Sequence, residues 1–204
     1  MNLPNKITLG RIILSVIVLI LMVFPFYEVG VTFPEYLIAG KVTISLKYII
    51  CGVLFIIASV TDFLDGNIAR KRGLVTDLGK VLDAIADKIL VNGVLIALAC
   101  DGVIPVVIPV IIITRDTAVD CIKMIAGSKK GAVGASIWGK LKTICMMTGV
   151  SFVFFSDIPF SLVGFNLGYY LVIVATLLSI YSGIQYFVAY KDCSSNLSFL
   201  VTLY

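Results

Sequence analysis

Tyr48-Ile-Ile-Cys-Gly-Val-Leu-Phe-Ile-Ile-Ala-Ser-Val-Thr61 runs without a charge and passes directly into Asp62-Phe-Leu-Asp65-Gly66-Asn-Ile-Ala69-Arg70. An apolar run this short does not cross a bilayer, whose hydrocarbon core takes about 20 helical residues. It becomes long enough only if the helix continues through Asp62, Asp65 and Arg70. Other runs share the shortfall. Ile89–Cys100 spans if its helix starts near Gly79 and includes Asp83 and Asp87. Gly102–Thr114 spans if it continues past Arg115. Thr143–Ser156 spans if it begins near Trp138, with Lys140 and Lys142 in it. Ile12–Tyr27 is the first uncharged run, and Ile158–Tyr190 the last and longest. At 1.5 Å per residue that last run exceeds a core of about 30 Å. Its opening part, Ile158–Asn166 with Pro159 and Gly164, reads as an interfacial turn before a sixth helix.

Composition agrees. Of 204 residues, 60% are hydrophobic and 14% charged, with a mean hydropathy of +1.09. Soluble domains run near 45–50% apolar and about 25% charged. The expected fold is an all-α integral membrane bundle of six transmembrane helices, one domain over residues 1–204. The N-terminal apolar run lacks a small-residue cleavage site, follows polar and basic residues, and reads as a first span rather than a signal peptide. The five cysteines form no CxxC pair and read as small buried side chains. The Cys193–Tyr204 tail carries no assignable pattern.

Loop charge sets an expected orientation. Lys6 and Arg11 precede the first span. Arg70, Lys71, Arg72 and Lys80 join the second to the third. Lys123, Lys129, Lys130, Lys140 and Lys142 join the fourth to the fifth. The alternate connections hold Glu28, Glu35, Lys41, Lys47, Asp101 and Asp157, without basic excess. The positive-inside rule then puts both termini, and every charged helix extension, on the cytoplasmic side.

The chain has no histidine. This excludes Ser-His-Asp and Cys-His machinery and His-ligated zinc, haem or copper. Acid–base and metal chemistry must rest on carboxylates. Asp62 and Asp65 are three apart and share a helix face, while Asp62, Gly66 and Arg70 repeat every four. Asp83 and Asp87 are four apart on the next helix. Four carboxylates crowded at a membrane edge are costly unless cations neutralise them. Oxygen-only ligands favour Mg²⁺, Mn²⁺ or Ca²⁺. Two such ions about 3.5–4 Å apart can clamp a phosphoryl group. Gly66 and Gly79 leave room for a ligand or a neighbouring helix beside the acidic stripe.

The pattern D-x2-D-G-x2-A-R-x8-G-x3-D-x3-D, carried by Asp62, Asp65, Gly66, Ala69, Arg70, Gly79, Asp83 and Asp87, resembles the signature of the CDP-alcohol phosphatidyltransferase family. All eight positions match without a gap. The opening Asn2-Leu-Pro-Asn5-Lys-Ile-Thr8-Leu-Gly-Arg11, the triplet Thr114-Arg115-Asp116, and Gly139-Lys140-Leu-Lys142-Thr143 are similar to segments of its bacterial, glycerol-3-phosphate-using subfamily. The likeness extends from Asn2 to about Thr143.

The resemblance implies an enzyme that exchanges the CMP of CDP-diacylglycerol for an alcohol. The expected acceptor is sn-glycerol 3-phosphate, giving phosphatidylglycerophosphate and CMP. It implies two divalent cations, Mg²⁺ or Mn²⁺, held by Asp62, Asp65, Asp83 and Asp87, with Asp87 also the general base. It implies a CDP pocket lined by Asp62, Gly66, Ala69, Arg70 and Gly79. Arg115, Lys123 and Lys140, with Lys142 and Arg11 as weaker candidates, would meet the acceptor phosphate; Asn5 and Thr8 are substrate contacts or helix-start residues. A homodimer in the bacterial cell membrane, with its site facing the cytoplasm, is expected. Three positions depart from the pattern: Ala84 where Pro is common, Asp116 where Glu is usual, and Met146 where Gln is common. Alternatives are another acceptor (inositol phosphate, phosphatidylglycerol or serine) or, remotely, a small cation transporter or channel. The basic cluster argues against serine.

Overall fold

The computed structural model describes residues 3–72, 77–130 and 137–189. These residues form six α-helices: α1 (Leu3–Val23), α2 (Leu46–Arg72), α3 (Asp77–Cys100), α4 (Val107–Lys130), α5 (Ile137–Phe154) and α6 (Leu167–Ala189). The helices of the short apolar runs do continue through their charged flanks. At 1.5 Å per residue α2 is about 40 Å long, more than a bilayer core needs. Its surplus is the acidic segment. The first helix starts earlier than the uncharged run, taking in Asn5, Thr8 and Arg11. It stops short of Pro25, which cannot donate to a continuing helix. Pro109 falls in the first turn of α4, where a missing N–H costs nothing.

Between α1 and α2 lies an element that charge patterning did not reveal, an antiparallel hairpin of β1 (Glu35–Ile38) and β2 (Val42–Ser45). Ala39 and Gly40 take positive φ in its turn. The hairpin lies over the α5–α6 connection. Ser156 Oγ donates to the Thr43 carbonyl at 3.4 Å, and Lys41 Nζ to the Leu162 carbonyl at 3.5 Å. The stretch before α6 is a 3-10 turn (Phe160–Val163) closed by Gly164 in the left-handed region, as an interfacial turn requires. Asp157 caps α6 from a distance: its Oδ1 accepts the Gly168 N–H at 2.5 Å.

Among the described residues the helices pack in the ring order α1–α2–α5–α6–α4–α3 and back to α1. One core joins all six, with Val18, Phe55, Leu98, Ile112, Phe154 and Val172 fully buried. Polarity is inverted relative to a soluble protein. Ser15, Ser179 and Ser182 are fully buried, while Ile13, Ile20, Ile57, Leu177, Ile184 and Phe187 face outward. Outward apolar faces suit hydrocarbon as the solvent. Among the described residues α6 is the one helix both long and apolar enough to cross a membrane by itself; Ile7–Val23 is a shorter apolar helix.

Side-chain pairs fix the helix directions. Arg11 near the start of α1 meets Asp62 late in α2. Lys88 in α3 meets Asp120 late in α4, and Lys142 early in α5 meets Asp116 in α4. At the opposite end, Tyr48 at the start of α2 donates to Asp101 just past α3, at 2.6 Å. Helices consecutive in the chain therefore run in opposite directions, while α4 and α6, where Arg115 meets Ser179 and Lys123 meets Tyr186, run the same way, and the charged extensions gather at one end of the bundle.

Candidate active site

The acidic half is built on α2 and α3, with α1 packed against both. Asp62, Asp65, Gly66, Ala69 and Arg70 occupy the last three turns of α2, so the helical register places Asp62 and Asp65 on one face. Gly79, Asp83 and Asp87 occupy the first three turns of α3. The side chains of Asn5, Asp65, Ala69, Arg70 and Asp83 lie outside the described residues. Asp62 and Asp87 are half-buried.

Arg11 reaches into this half from α1. Its side chain is 1% exposed and pairs with the Asp62 carboxylate, itself 35% exposed. Thr8 and Ser15 are buried on the same face of α1, and Ser15 Oγ donates to the Arg11 carbonyl at 2.8 Å. An arginine inside an apolar helix is costly, and a nearby carboxylate offsets that cost. Among the described residues no group of three or more metal-ligating side chains forms; the two remaining aspartates of the signature are among the undescribed side chains. The donor set is carboxylate only, which suits a hard divalent ion.

The basic half is built on α4, α5 and α6. Arg115 Nε donates to the Ser179 carbonyl at 2.9 Å, Nη2 to Ser182 Oγ at 2.6 Å and Nη1 to Asp116 Oδ1 at 2.7 Å. Lys142 Nζ donates to both Asp116 oxygens at 2.7 Å, and Lys142 is 8% exposed. The Lys123 ammonium stands 5.1 Å from the centre of the Tyr186 ring. Lys140 is exposed, one turn before Ile144 on α5. Trp138 packs edge-on to Tyr181, holding the start of α5 on α6.

Lys88, adjacent to Asp87, pairs with Asp120 and ties the two halves together. An apolar cleft of about 390 Å³ lies between α2 and α5, lined by Ile56, Val60, Met147 and Phe155 among others.

Sequence reasoning had not singled out Lys88, Asp120, Ser179, Ser182 or Tyr186, and had noted Asp116 only within the Thr114-Arg115-Asp116 triplet, as a departure from its usual Glu. One signal was present. Ser179, Ser182 and Tyr186 repeat at helical spacing in an apolar span, where polar residues mark an interior face.

Residues 1–181 match the family model described as CDP-alcohol phosphatidyltransferase. The chain is 39% identical over 186 residues to the CDP-diacylglycerol–glycerol-3-phosphate 3-phosphatidyltransferase of Bacillus subtilis, covering 91% of this chain and 93% of that one. It is 31% identical over 191 residues to the protein of the same name from Rickettsia bellii, covering 93% and 96%. A third, from Mycoplasma genitalium, is 43% identical over 115 residues, 55% of this chain and 49% of that one.

Proposed function

Because the chain belongs to the CDP-alcohol phosphatidyltransferase family, we propose that it moves the phosphatidyl group of CDP-diacylglycerol to sn-glycerol 3-phosphate, releasing phosphatidylglycerophosphate and CMP. One observation carries the choice of acceptor. Arg115, Lys123, Lys140 and Lys142 gather at the end of the bundle that carries the aspartate signature. A phosphorylated acceptor brings a net negative charge to such a cluster, whereas serine, a zwitterion, brings none.

The reaction joins an acceptor hydroxyl to the lipid-bearing phosphorus as the bond to CMP breaks. In this reading Asp62, Asp65, Asp83 and Asp87 hold two divalent cations, Mg²⁺ or Mn²⁺, which when bound supply positive charge against the pyrophosphate. Asp87 also accepts the proton of the attacking hydroxyl. Gly66, Ala69 and Gly79 leave space for the CDP moiety, and Arg70 meets its phosphates. Arg115, Lys123 and Lys140 bind the acceptor phosphate, with Lys142 contributing through Asp116. Arg11 balances Asp62, and Asn5 and Thr8 sit on the same N-terminal helix as substrate contacts. The apolar cleft between α2 and α5 suits an acyl chain.

The bundle crosses the bilayer six times, with both termini and the site on the cytoplasmic side of a bacterial cell membrane. One domain covers residues 1–204, and the working form is a homodimer. The alternating helix directions and the basic excess at the site end support that orientation. The deciding experiment offers labelled glycerol 3-phosphate, serine, inositol phosphate and phosphatidylglycerol to the purified chain with CDP-diacylglycerol in detergent. Lipid product and CMP are expected from glycerol 3-phosphate. Product from serine alone would overturn the assignment.

A further inference from the structure

We propose that Asp116 is a positioning residue: its carboxylate, anchored on Lys142, holds the Arg115 guanidinium in the orientation that grips the acceptor phosphate. The inference rests on the reading of a phosphorylated acceptor given above.

Residues one apart on a helix point about 100° away from each other and do not normally pair. Arg115 meets Asp116 because its long side chain folds toward α5 and α6, and three partners hold it there. Nη1 is bonded to Asp116, Nη2 to Ser182 Oγ and Nε to the Ser179 carbonyl. Ser182 Oγ also donates to that carbonyl at 3.1 Å, so the two α6 groups are fixed against each other. Gly183 clears the path of the side chain. A Cβ there would stand 3.0 Å from Arg115 Cγ and 3.2 Å from Nε. A guanidinium has five N–H donors, and these three bonds leave donors for a phosphate.

Asp116 is itself immobilised. Oδ1 receives both Arg115 and Lys142, and Oδ2 receives Lys142. Lys142 is nine-tenths buried, and a buried ammonium requires an anion beside it. Lys142 thus sets the carboxylate and the carboxylate sets Arg115. The group of three keeps one net positive charge for the substrate. An arginine loses much rotamer freedom when it grips a ligand. Fixing it beforehand shifts that cost into folding, and the gain appears as acceptor affinity.

The test is steady-state kinetics of the full chain in detergent, varying glycerol 3-phosphate and CDP-diacylglycerol in turn. Asp116→Asn should raise KM for glycerol 3-phosphate roughly tenfold or more, the worth of a charge-assisted bond, and leave KM for CDP-diacylglycerol within about twofold. Asp116→Glu keeps the charge and should stay within about threefold of wild type. Ser182→Ala should raise the acceptor KM by a smaller factor. The proposal is overturned if Asp116→Asn leaves the acceptor KM unchanged, if it raises both KM values alike, or if Asp116→Glu is as impaired as Asp116→Asn. Should Asp116→Asn fail to fold because Lys142 has lost its anion, Ser182→Ala carries the test, since it leaves that ion pair intact. An acceptor KM unchanged in it overturns the proposal. A wild-type chain that turns over CDP-diacylglycerol with serine but not glycerol 3-phosphate overturns the functional reading itself, and this inference with it; the variants play no part in that outcome.

Discussion

Arg11 and Asp62 pose the sharpest question at the scale of single residues. Each is expensive inside an apolar bundle, and each offsets the cost of the other. Replacing Asp62 by Asn takes one carboxylate away from a guanidinium that is 1% exposed. The expected loss is about 2–3 kcal/mol, below the range for a fully buried pair because Asp62 stays one-third exposed. Thermal unfolding in detergent should show it. Arg11→Met with Asp62→Asn should recover part of the stability and none of the activity, because the site has still lost a carboxylate. Equal stability of the single variant and the wild type would remove the pair from the account. For Asp87→Asn, CMP release should fall at least about a hundredfold, the usual worth of a general base. The aspartates were legible at this scale because three- and four-residue spacing is local information. The partner of Asp62 was not, since α1 and α2 are separated by a hairpin that spacing did not reveal.

Two elements, α5 and α6, meet so closely that their glycines matter. A Cβ at Gly168 would fall 2.6 Å from the Gly149 carbonyl and 2.8 Å from Phe152 Cβ, whereas nothing lies within 4 Å of one at Gly10. Gly168→Val should therefore lower the unfolding temperature sharply or prevent folding, by the overpacking cost of about 1–3 kcal/mol or more. Gly10→Ala in α1 should raise stability by about 0.5–1 kcal/mol. The same junction holds Asp157, whose burial in the α5–α6 connection pushes its carboxyl above the usual range, against the N–H groups of Gly168 and Tyr169 that draw it down. A carboxyl whose folded pKa is raised favours the fold most when protonated. Its contribution is complete below the unfolded value near 3.9 and is lost as pH rises through the higher folded value. Asp157→Asn keeps an acceptor for the cap and removes that titration. Across pH 4 to 8 the wild type should lose stability relative to this variant as pH rises; parallel curves would refute the assignment. Helix order and the charged extensions were legible at this scale, because a hydrocarbon core demands a minimum length and the apolar runs visibly lack it. The hairpin and the distant cap were not. Both depend on contacts across the loop end of the bundle.

At the scale of the whole molecule, the ring of six helices brings an acidic half and a basic half to one end. Opposite charges pair within each half, Arg11 with Asp62 and Lys142 with Asp116, and the Lys88–Asp120 pair joins the two. The proposed pair of divalent cations belongs to this balance. Excess EDTA should abolish activity and Mg²⁺ or Mn²⁺ restore it, while full activity in EDTA would exclude the metal site. Mass measurement in detergent should find twice the 22.1 kDa chain mass, and monomer alone would exclude the dimer.

By itself the sequence determined the class of molecule, the rough extent of its helices and the carboxylate pattern that carries the family likeness. These follow from hydropathy and from short-range spacing, which any helix imposes on its own residues. Only the tertiary structure decided which charges meet: Arg11 with Asp62, Lys88 with Asp120, and Asp116 with both Arg115 and Lys142. It also turned Asp116 from a departure into the centre of the basic half, and brought three polar residues of an apolar helix against Arg115 and Lys123. An ion pair between helices depends on packing angle and register, and no residue carries that information in its own neighbourhood.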